Sequence, residues 1–289
     1  MTSHNQASAI LLAECPDQPG IIAKVTDFLS RNNGNIVDLE QHVDTDDKHF
    51  FMRVEWQLEH FAIQRDSIQQ AFAQQVGSTL NMNWQIAFSD IKPRLALFVS
   101  QHGHCLFDIL SRYQSGEWNV EIPLIISNHQ DYRSLAENAG IAFHHLPITA
   151  DNKQQQEQTQ LNLLAEHQVD TIVLARYMQI LSANFIDHYP HQVINIHHSF
   201  LPAFPGAKPY HSAHERGVKI IGATSHYVTT ELDAGPIIEQ DIVRIRHNDN
   251  VDDLKRKGQD NEKIVLSRAI RHHLQHEVLV YKNRCIVFV

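Results

Sequence analysis

The sequence predicts an α/β protein of two domains: a short βαββαβ unit, then a larger domain built on a mainly parallel sheet. Three observations carry that expectation. Up to residue 88, period-two alternation and helical spacing of apolar residues succeed one another as strand, helix, strand, strand, helix, strand. Beyond Pro93, strands alternate with helices, the pattern of a parallel sheet covered on both faces. A chain of 289 residues is long enough for two cores of ordinary size.

In the first unit, residues 9–13 form an apolar strand that ends at the turn Glu14-Cys15-Pro16-Asp17-Gln18-Pro19-Gly20. Ile21, Ile22, Val25, Phe28 and Leu29 recur at helical spacing, and Asn33-Gly34 stops that helix. Residues 35–43 and 50–58 alternate as two strands around an Asp46-Asp47 hairpin turn. A helix over 63–76 carries Ile68, Phe72 and Val76 on one side, and residues 83–88 close with a fourth strand. The order is that of a ferredoxin-like unit, residues 1–88.

A polar connection over 89–93 leads to the second domain, residues 94–289. Its strands are expected at 95–99, 121–127, 143–146, 171–175, 219–228 and 237–245, with one more ending at Ile196. Helices are expected at 106–113, 131–138 (capped by Gly140), 154–167 and 210–216. The glutamines of 154–167 read as a solvated face, as do His272, His273 and His276 on the last helix.

Composition excludes several classes of function. Apolar residues at 43% and charged ones at 20% are those of a soluble globular protein. No apolar run approaches a membrane span, and residues 1–6 are polar, so neither an anchor nor a signal peptide is expected and the cytoplasm fits. Cys15, Cys105 and Cys285 are odd in number and far apart, which provides no disulfide framework. A net charge of −9 without a basic cluster argues against a nucleic-acid partner. The 21 histidines include His144-His145 and the i, i+3 pair His211 and His214, but no carboxylate or Cys-x-x-Cys joins them at metalloenzyme spacing. No metal is expected. The turn after the first strand of this domain, Gln101-His102-Gly103-His104-Cys105, lacks the glycines and the Ser or Thr of a phosphate cradle.

The chemistry is expected at Asn195-Ile196-His197-His198-Ser199-Phe200-Leu201-Pro202-Ala203-Phe204-Pro205-Gly206. A buried strand stops there at two imidazoles and an open loop, and ligands of α/β sheets bind at strand carboxyl ends. Asn195 and His197 are two apart, so in an extended chain both side chains leave one face, an amide donor beside an imidazole. Such residues also serve as ordinary turn formers. The loop 229–236 adds Glu231 and Asp233, either of which can orient a histidine or act as base if the fold brings it near.

Three motifs raise that reading to a resemblance. Leu174-Ala175-Arg176-Tyr177-Met178-Gln179-Ile180-Leu181, Asn195-Ile196-His197 through Pro202, and Leu232-Asp233-Ala234-Gly235-Pro236-Ile237 are similar, in this order, to those of the Rossmann-like formyltransferase domain that handles 10-formyltetrahydrofolate. The resemblance implies that Asn195, His197 and Asp233 are catalytic. It also implies that Arg176, Tyr177, Met178, Gln179, Ile180, Leu181, His198, Thr229, Thr230 and Glu231 line the folate pocket. Cys15-Pro16-Asp17-Gln18-Pro19-Gly20-Ile21 with Asn33-Gly34-Asn35-Ile36 resembles an ACT domain. That likeness implies an amino-acid effector, glycine or methionine, at Asp17, Gly20, Ile21 and Asn35, and pairing of subunits into a homo-oligomer, with a tetramer as the first expectation. Gly103-His104-Cys105-Leu106 and the His198 after the motif histidine depart from transferases acting on glycinamide ribonucleotide. With the ACT unit, they make the chain resemble the formyltetrahydrofolate deformylase family along its length. That resemblance implies hydrolysis of 10-formyltetrahydrofolate to formate and tetrahydrofolate, with no cofactor beyond the folate substrate. Roles for His226 and Cys105 stay open at this level.

Overall fold

The computed structural model describes residues 7–202 and 209–289. Residues 1–6, and Ala203, Phe204, Pro205 and Gly206 of the expected open loop, lie outside the described residues. The chain divides into two compact units. One gathers the residues up to Ile91 with Gln275–Leu279 and Ile286–Val289; the other holds Lys92–Leu274 and Val280–Cys285.

The first unit is built from β1 (Ser8–Pro16), α1 (Ile21–Arg31), β2 (Ile36–Asp44), β3 (His49–Gln57), α2 (Arg65–Phe72) and β4 (Asn83–Phe88). Its sheet has the order β2-β3-β1-β4, with every pairing antiparallel. Helix α1 buries Ile21, Val25, Phe28 and Leu29 as one stripe. They meet Leu11, Met52, Val54, Trp56, Phe72 and Val76 in a single core. The first strand runs on through Glu14 and Cys15 into the predicted turn, because Cys15 and Pro16 pair with Phe50 and His49. The second helix widens to a π-turn at Ala73–Gly77 and tightens to a 3-10 turn at Ser78–Leu80, which keeps Val76 and Leu80 in the core.

The C-terminal residues divide differently from the expected boundary. Arg53 Nε donates to the carbonyl of His276, and Phe288 N–H donates to Glu277 O. These bonds tie residues 275–279 and 286–289 to the first unit rather than to the second domain.

The second unit holds β5 (Arg94–Val99), α3 (His104–Ser115), β6 (Glu121–Ser127), α4 (Arg133–Asn138), β7 (Ala142–His145), α5 (Lys153–Glu166) and β8 (Thr171–Ala175). It continues through α6 (Ala183–Asp187), β9 (Val193–His197), α7 (Pro209–Arg216), β10 (Ile220–Tyr227), β11 (Ile237–Arg244) and α8 (Val251–Leu274). A hairpin of β12 (Val278–Tyr281) and β13 (Arg284–Val287) follows. The large sheet has the order β11-β10-β9-β8-β5-β6-β7. From β7 to β9 the strands are parallel; β10 and β11 return antiparallel. Chain direction across the sheet reverses between β5 and β8, so their following loops part there and open a crevice. Met178 N–H donates to Ser100 Oγ across that point, joining the two loops.

The expected solvated faces hold for Gln154, Gln155 and Gln158, which are exposed, and fail at particular residues. On α5, Gln160 and Glu157 are buried; Gln160 Nε2 donates to Tyr177 Oη and Glu157 accepts from Ser182 N–H. On α8, His272 is buried, and His273 bridges Thr171 Oγ1 (2.9 Å) and Tyr227 Oη (2.8 Å). His276 follows the helix, and burial pushes its imidazole pKa down. A polar side chain on a helix is buried where a partner waits for it, and helical spacing alone does not show the partner.

Phe72 lies at the centre of the first core, 5.6 Å from the Phe28 ring and 4.9 Å from the Trp84 ring. Phe72→Ala is expected to cost about 3–5 kcal/mol in the unfolding transition of this unit, followed by urea denaturation. A loss under about 1 kcal/mol would show that the core collapses onto the gap.

Candidate active site

Sheet register builds the site. In the antiparallel pairing of β9 and β10, Asn195 lies opposite His226 and His197 opposite Thr224. Directly opposed residues share a face, so two polar residues of β9 stand beside two of β10. Asn195 Nδ2 lies 3.2 Å from His226 Nε2. His226 Nδ1 lies 2.9 Å from the carbonyl oxygen of Tyr227, which only accepts. That assigns the ring proton to Nδ1 and leaves Nε2 to accept from the Asn195 amide.

Asp233 comes to this face from the loop between β10 and β11. Its Oδ2 is 3.2 Å from His197 Nδ1 and its Oδ1 is 3.8 Å from His226 Nε2. Hydrogen bonding from His197 holds the Asp233 carboxyl well below the usual carboxylate range. His197 is 7% exposed, and its Nε2 has no partner among the described residues. With Nδ1 turned to Asp233, that nitrogen is the one left for a reacting group.

The loop is held by backbone. Asp233 adopts a left-handed conformation, φ +55°, which Asp tolerates better than most residues. Tyr227 N–H donates to Pro236 O, and Asn283 Nδ2 donates to Ala234 O. Gly235 passes so close to β10 that an added Cβ would sit 1.8 Å from the Tyr227 carbonyl oxygen. The segment after His197 is pinned as firmly. Thr224 Oγ1 donates to Ser199 O and accepts from Leu201 N–H and Gln240 Nε2.

His198 stacks on His197, ring centroids 5.1 Å apart and 25° from parallel. Burial first, and the Arg176 charge second, push its imidazole down to about 4. It is therefore neutral at physiological pH. Cys105 is buried, and burial raises its thiol well above the ordinary value, so it is not a thiolate nucleophile.

These residues lie in a chain with clear kinship. A family model described as formyl transferase matches residues 93–270, and one described as ACT domain matches 9–74. The formyltetrahydrofolate deformylase of Synechocystis sp. is 58% identical over 281 residues, spanning 97% of this chain and 98% of its own. That of Bacillus subtilis is 46% identical over 285 residues, spanning 98% and 95%. A crystal structure of a formyltetrahydrofolate deformylase from Pseudomonas syringae pv. tomato matches with a TM-score of 0.97 at 46% identity, covering 99% of this chain and 96% of that one. The chain belongs to the formyltetrahydrofolate deformylase family.

Family membership places the remaining candidates in context. Of the expected folate-pocket residues, Met178 and Ile180 are exposed at 55% and 61%, beside the half-buried Gln179. They present apolar surface to solvent from the loop after β8. Tyr177 and Leu181 instead point into the core, Tyr177 packed edge-on against Phe98. Arg176 is buried and directed at Glu262. Thr229 Oγ1 donates to Glu231 O, and Thr230 and Glu231 are exposed.

The four expected effector residues do not form one site within one chain. Asp17 bonds Lys48 at the start of β3, whereas Asn35 pairs with Gln57 at its end. The strand between them spans roughly 25 Å. Gly20 is exposed, φ +92°, but Ile21 belongs to the core.

Among the described residues, His104, Cys105 and Glu262 form the one group of three whose ligand atoms lie within 4.8 Å of one another. His211 and His214 are exposed on α7. Sequence reasoning missed Glu262 and left His226 unassigned. Strand register brings His226 opposite Asn195, and no motif announces Glu262 on the long final helix.

Gly235→Ala is expected to destabilise the second unit by about 1–3 kcal/mol, since the methyl meets backbone that cannot turn aside. Urea unfolding measures it; an unchanged midpoint would show that the Asp233 loop yields freely.

Proposed function

We propose that this chain hydrolyses 10-formyltetrahydrofolate to formate and tetrahydrofolate, with water as the formyl acceptor. The observation that carries the reading is the contact of Asp233 with His197, on the face that also presents Asn195. An N10-formyl group is an amide of a weakly basic arylamine. Its hydrolysis requires an activated water, a stabilised oxyanion and a proton for the leaving nitrogen.

The ionised Asp233 stabilises His197 as an imidazolium, whose Nε2–H donates to the developing oxyanion together with the Asn195 amide. The same carboxylate orients water and takes its proton. As the tetrahedral intermediate collapses, the C–N bond breaks, the proton passes to N10, and formate leaves. His226 fixes the Asn195 amide from the neighbouring strand. Met178 and Ile180 offer the apolar surface on which the pterin rests, and the loop from Thr229 to Asp233 forms the opposite wall.

The formate serves purine synthesis and the reaction balances the one-carbon pool, a reading that rests on the family's chemistry. Glycine or methionine acts at the ACT domain. The division of Asp17 and Asn35 between opposite ends of β3 supports a site completed by a second copy, in a closed homo-tetramer. Among the described residues no helix is long and apolar enough to cross a membrane. That the enzyme is cytoplasmic and needs no cofactor beyond its folate substrate rests on the family's chemistry.

Purified protein given 10-formyltetrahydrofolate and no amine is expected to release formate; strict dependence on an added amine would sink the hydrolytic reading. Asn195→Ala should lower the rate by about 10²–10³-fold, and Asp233→Asn or His197→Ala by about 10²–10⁴-fold. Turnover within a few-fold of the parent would refute those roles. His198 titrates near 4, so His198→Asn should leave the shape of the kcat/KM profile unchanged above about pH 5. Loss of a limb between pH 6 and 8 (about the range of an unperturbed imidazole) would show that His198 carries a working proton.

A further inference from the structure

Helix α8 carries a charge that takes no part in the steps above. Glu262 is 1% exposed. Its carboxylate accepts from Tyr210 Oη at 2.7 Å and His104 Nε2 at 2.8 Å, and Arg176 Nε lies 3.4 Å away. Burial acts to raise this carboxyl; His104, Arg176 and Tyr210 reverse the effect and hold it below its ordinary value. An ion buried this deeply carries a desolvation cost that only well-placed donors offset.

Two backbone features are arranged around it. Gly258, one turn earlier on α8, faces the same phenol: an added Cβ would sit 2.0 Å from Tyr210 Oη. Glycine inside a helix is less stable than alanine, so the helix gives up propensity to admit that hydroxyl. Arg176 opens the substrate-facing loop in a left-handed conformation, φ +64°, which is rare for a bulky residue. Its guanidinium reaches back to Glu262. On the other side, the Tyr210 ring lies 5.9 Å from His198, which stacks on His197. One carboxylate thus connects the wall of the pocket with the catalytic imidazole.

We propose that Glu262 is a positioning residue for formyl hydrolysis, binding Tyr210, His104 and Arg176 at once so as to set the His198–His197 stack and the turn at residue 176. The inference rests on the reaction proposed above. A metal held by His104, Cys105 and Glu262 fits less well. Both carboxylate oxygens already have donors, and a guanidinium stands where a cation would add a like charge.

Three substitutions separate this role from a structural one. Tyr210→Phe removes one donor and leaves the ring beside His198. It should lower kcat for formate release by about tenfold to a hundredfold, the effect of a small misplacement, with KM nearly unchanged. Glu262→Gln keeps the shape and loses the charge, and it should both lower kcat and raise KM severalfold, because Arg176 is released too. The double variant should be no worse than Glu262→Gln alone, since both act through one contact. Gly258→Ala favours the helix yet displaces the hydroxyl, so it should reproduce the kcat loss of Tyr210→Phe. With an active parent, parental kcat in Tyr210→Phe and Glu262→Gln, or additive losses in the double variant, overturns the proposal. Tyr210→Phe and Gly258→Ala keep the test open if Glu262→Gln fails to fold. A parent that releases no formate sinks the reaction instead. A crystal structure of Tyr210→Phe or Glu262→Gln then decides: a shifted His198 or a relaxed Arg176 supports positioning, and unchanged geometry refutes it. Stoichiometric zinc in the purified protein, lost in Glu262→Gln, also overturns it.

Discussion

Asp233 and His197 come from distant parts of the chain and meet at 3.2 Å on one face of the large sheet. Little of the second unit's polar architecture makes sense without that meeting. The β10–β11 loop must fold back over the sheet to deliver the carboxylate, which takes a left-handed Asp233 and a Gly235 pressed against the Tyr227 carbonyl. The β9–β10 register must hold to the residue, because a slip of one would turn Asn195 and His197 to the opposite face. Thr224, with its one donor and two accepted bonds, ties the segment after His197 to β10 and resists such a slip.

The electrostatics follow from the same contact. One carboxylate lies among three imidazoles, and the three do not behave alike. His197 has Asp233 at bonding distance, His226 has it at 3.8 Å with Asn195 and a backbone carbonyl closer, and His198 stacks without a carboxylate of its own. Burial beside Arg176 then keeps His198 neutral while Asp233 stays ionised. His197 has Asp233 at bonding distance on Nδ1, and its Nε2 is left without a protein partner among the described residues. Such preorganisation costs nothing at the moment of reaction, which is why fixed donors outperform mobile water.

Strands were legible where alternation or a continuous apolar run met a clear stop. Residues 83–88, 121–127 and 171–175 lie within the observed strands to the residue. The meeting of Asn195, His197 and Asp233 was legible because two local motifs carry them. What the sequence did not disclose are pairings across distance. Gln160 finds Tyr177, His273 finds Thr171 and Tyr227, and Glu262 finds Tyr210, each with a partner far away in sequence. A polar residue on a helix looks solvated until its partner is known, so these positions were assigned to the wrong face or passed over. The C-terminal hairpin escaped for a related reason: residues 275–279 belong with the first unit through bonds to Arg53, and no linear boundary foreshadows that return.

Two non-glycine residues in left-handed conformations, Arg176 and Asp233, stand in the loops that follow β8 and β10, the two neighbours of β9 in the sheet. Strain of this kind survives only where the surroundings over-determine the conformation. In both cases the side chain of the strained residue is the anchor: Asp233 on His197, Arg176 on Glu262. Each loop therefore carries a charge contact made by its own strained residue. Loss of either contact removes the interaction that offsets an unfavourable backbone, so the loop relaxes as a unit rather than by one side chain. On that account the charges of this site act as much on backbone shape as on the reacting atoms. On the proposal above, Glu262 belongs to the same construction although it lies in no recognisable motif.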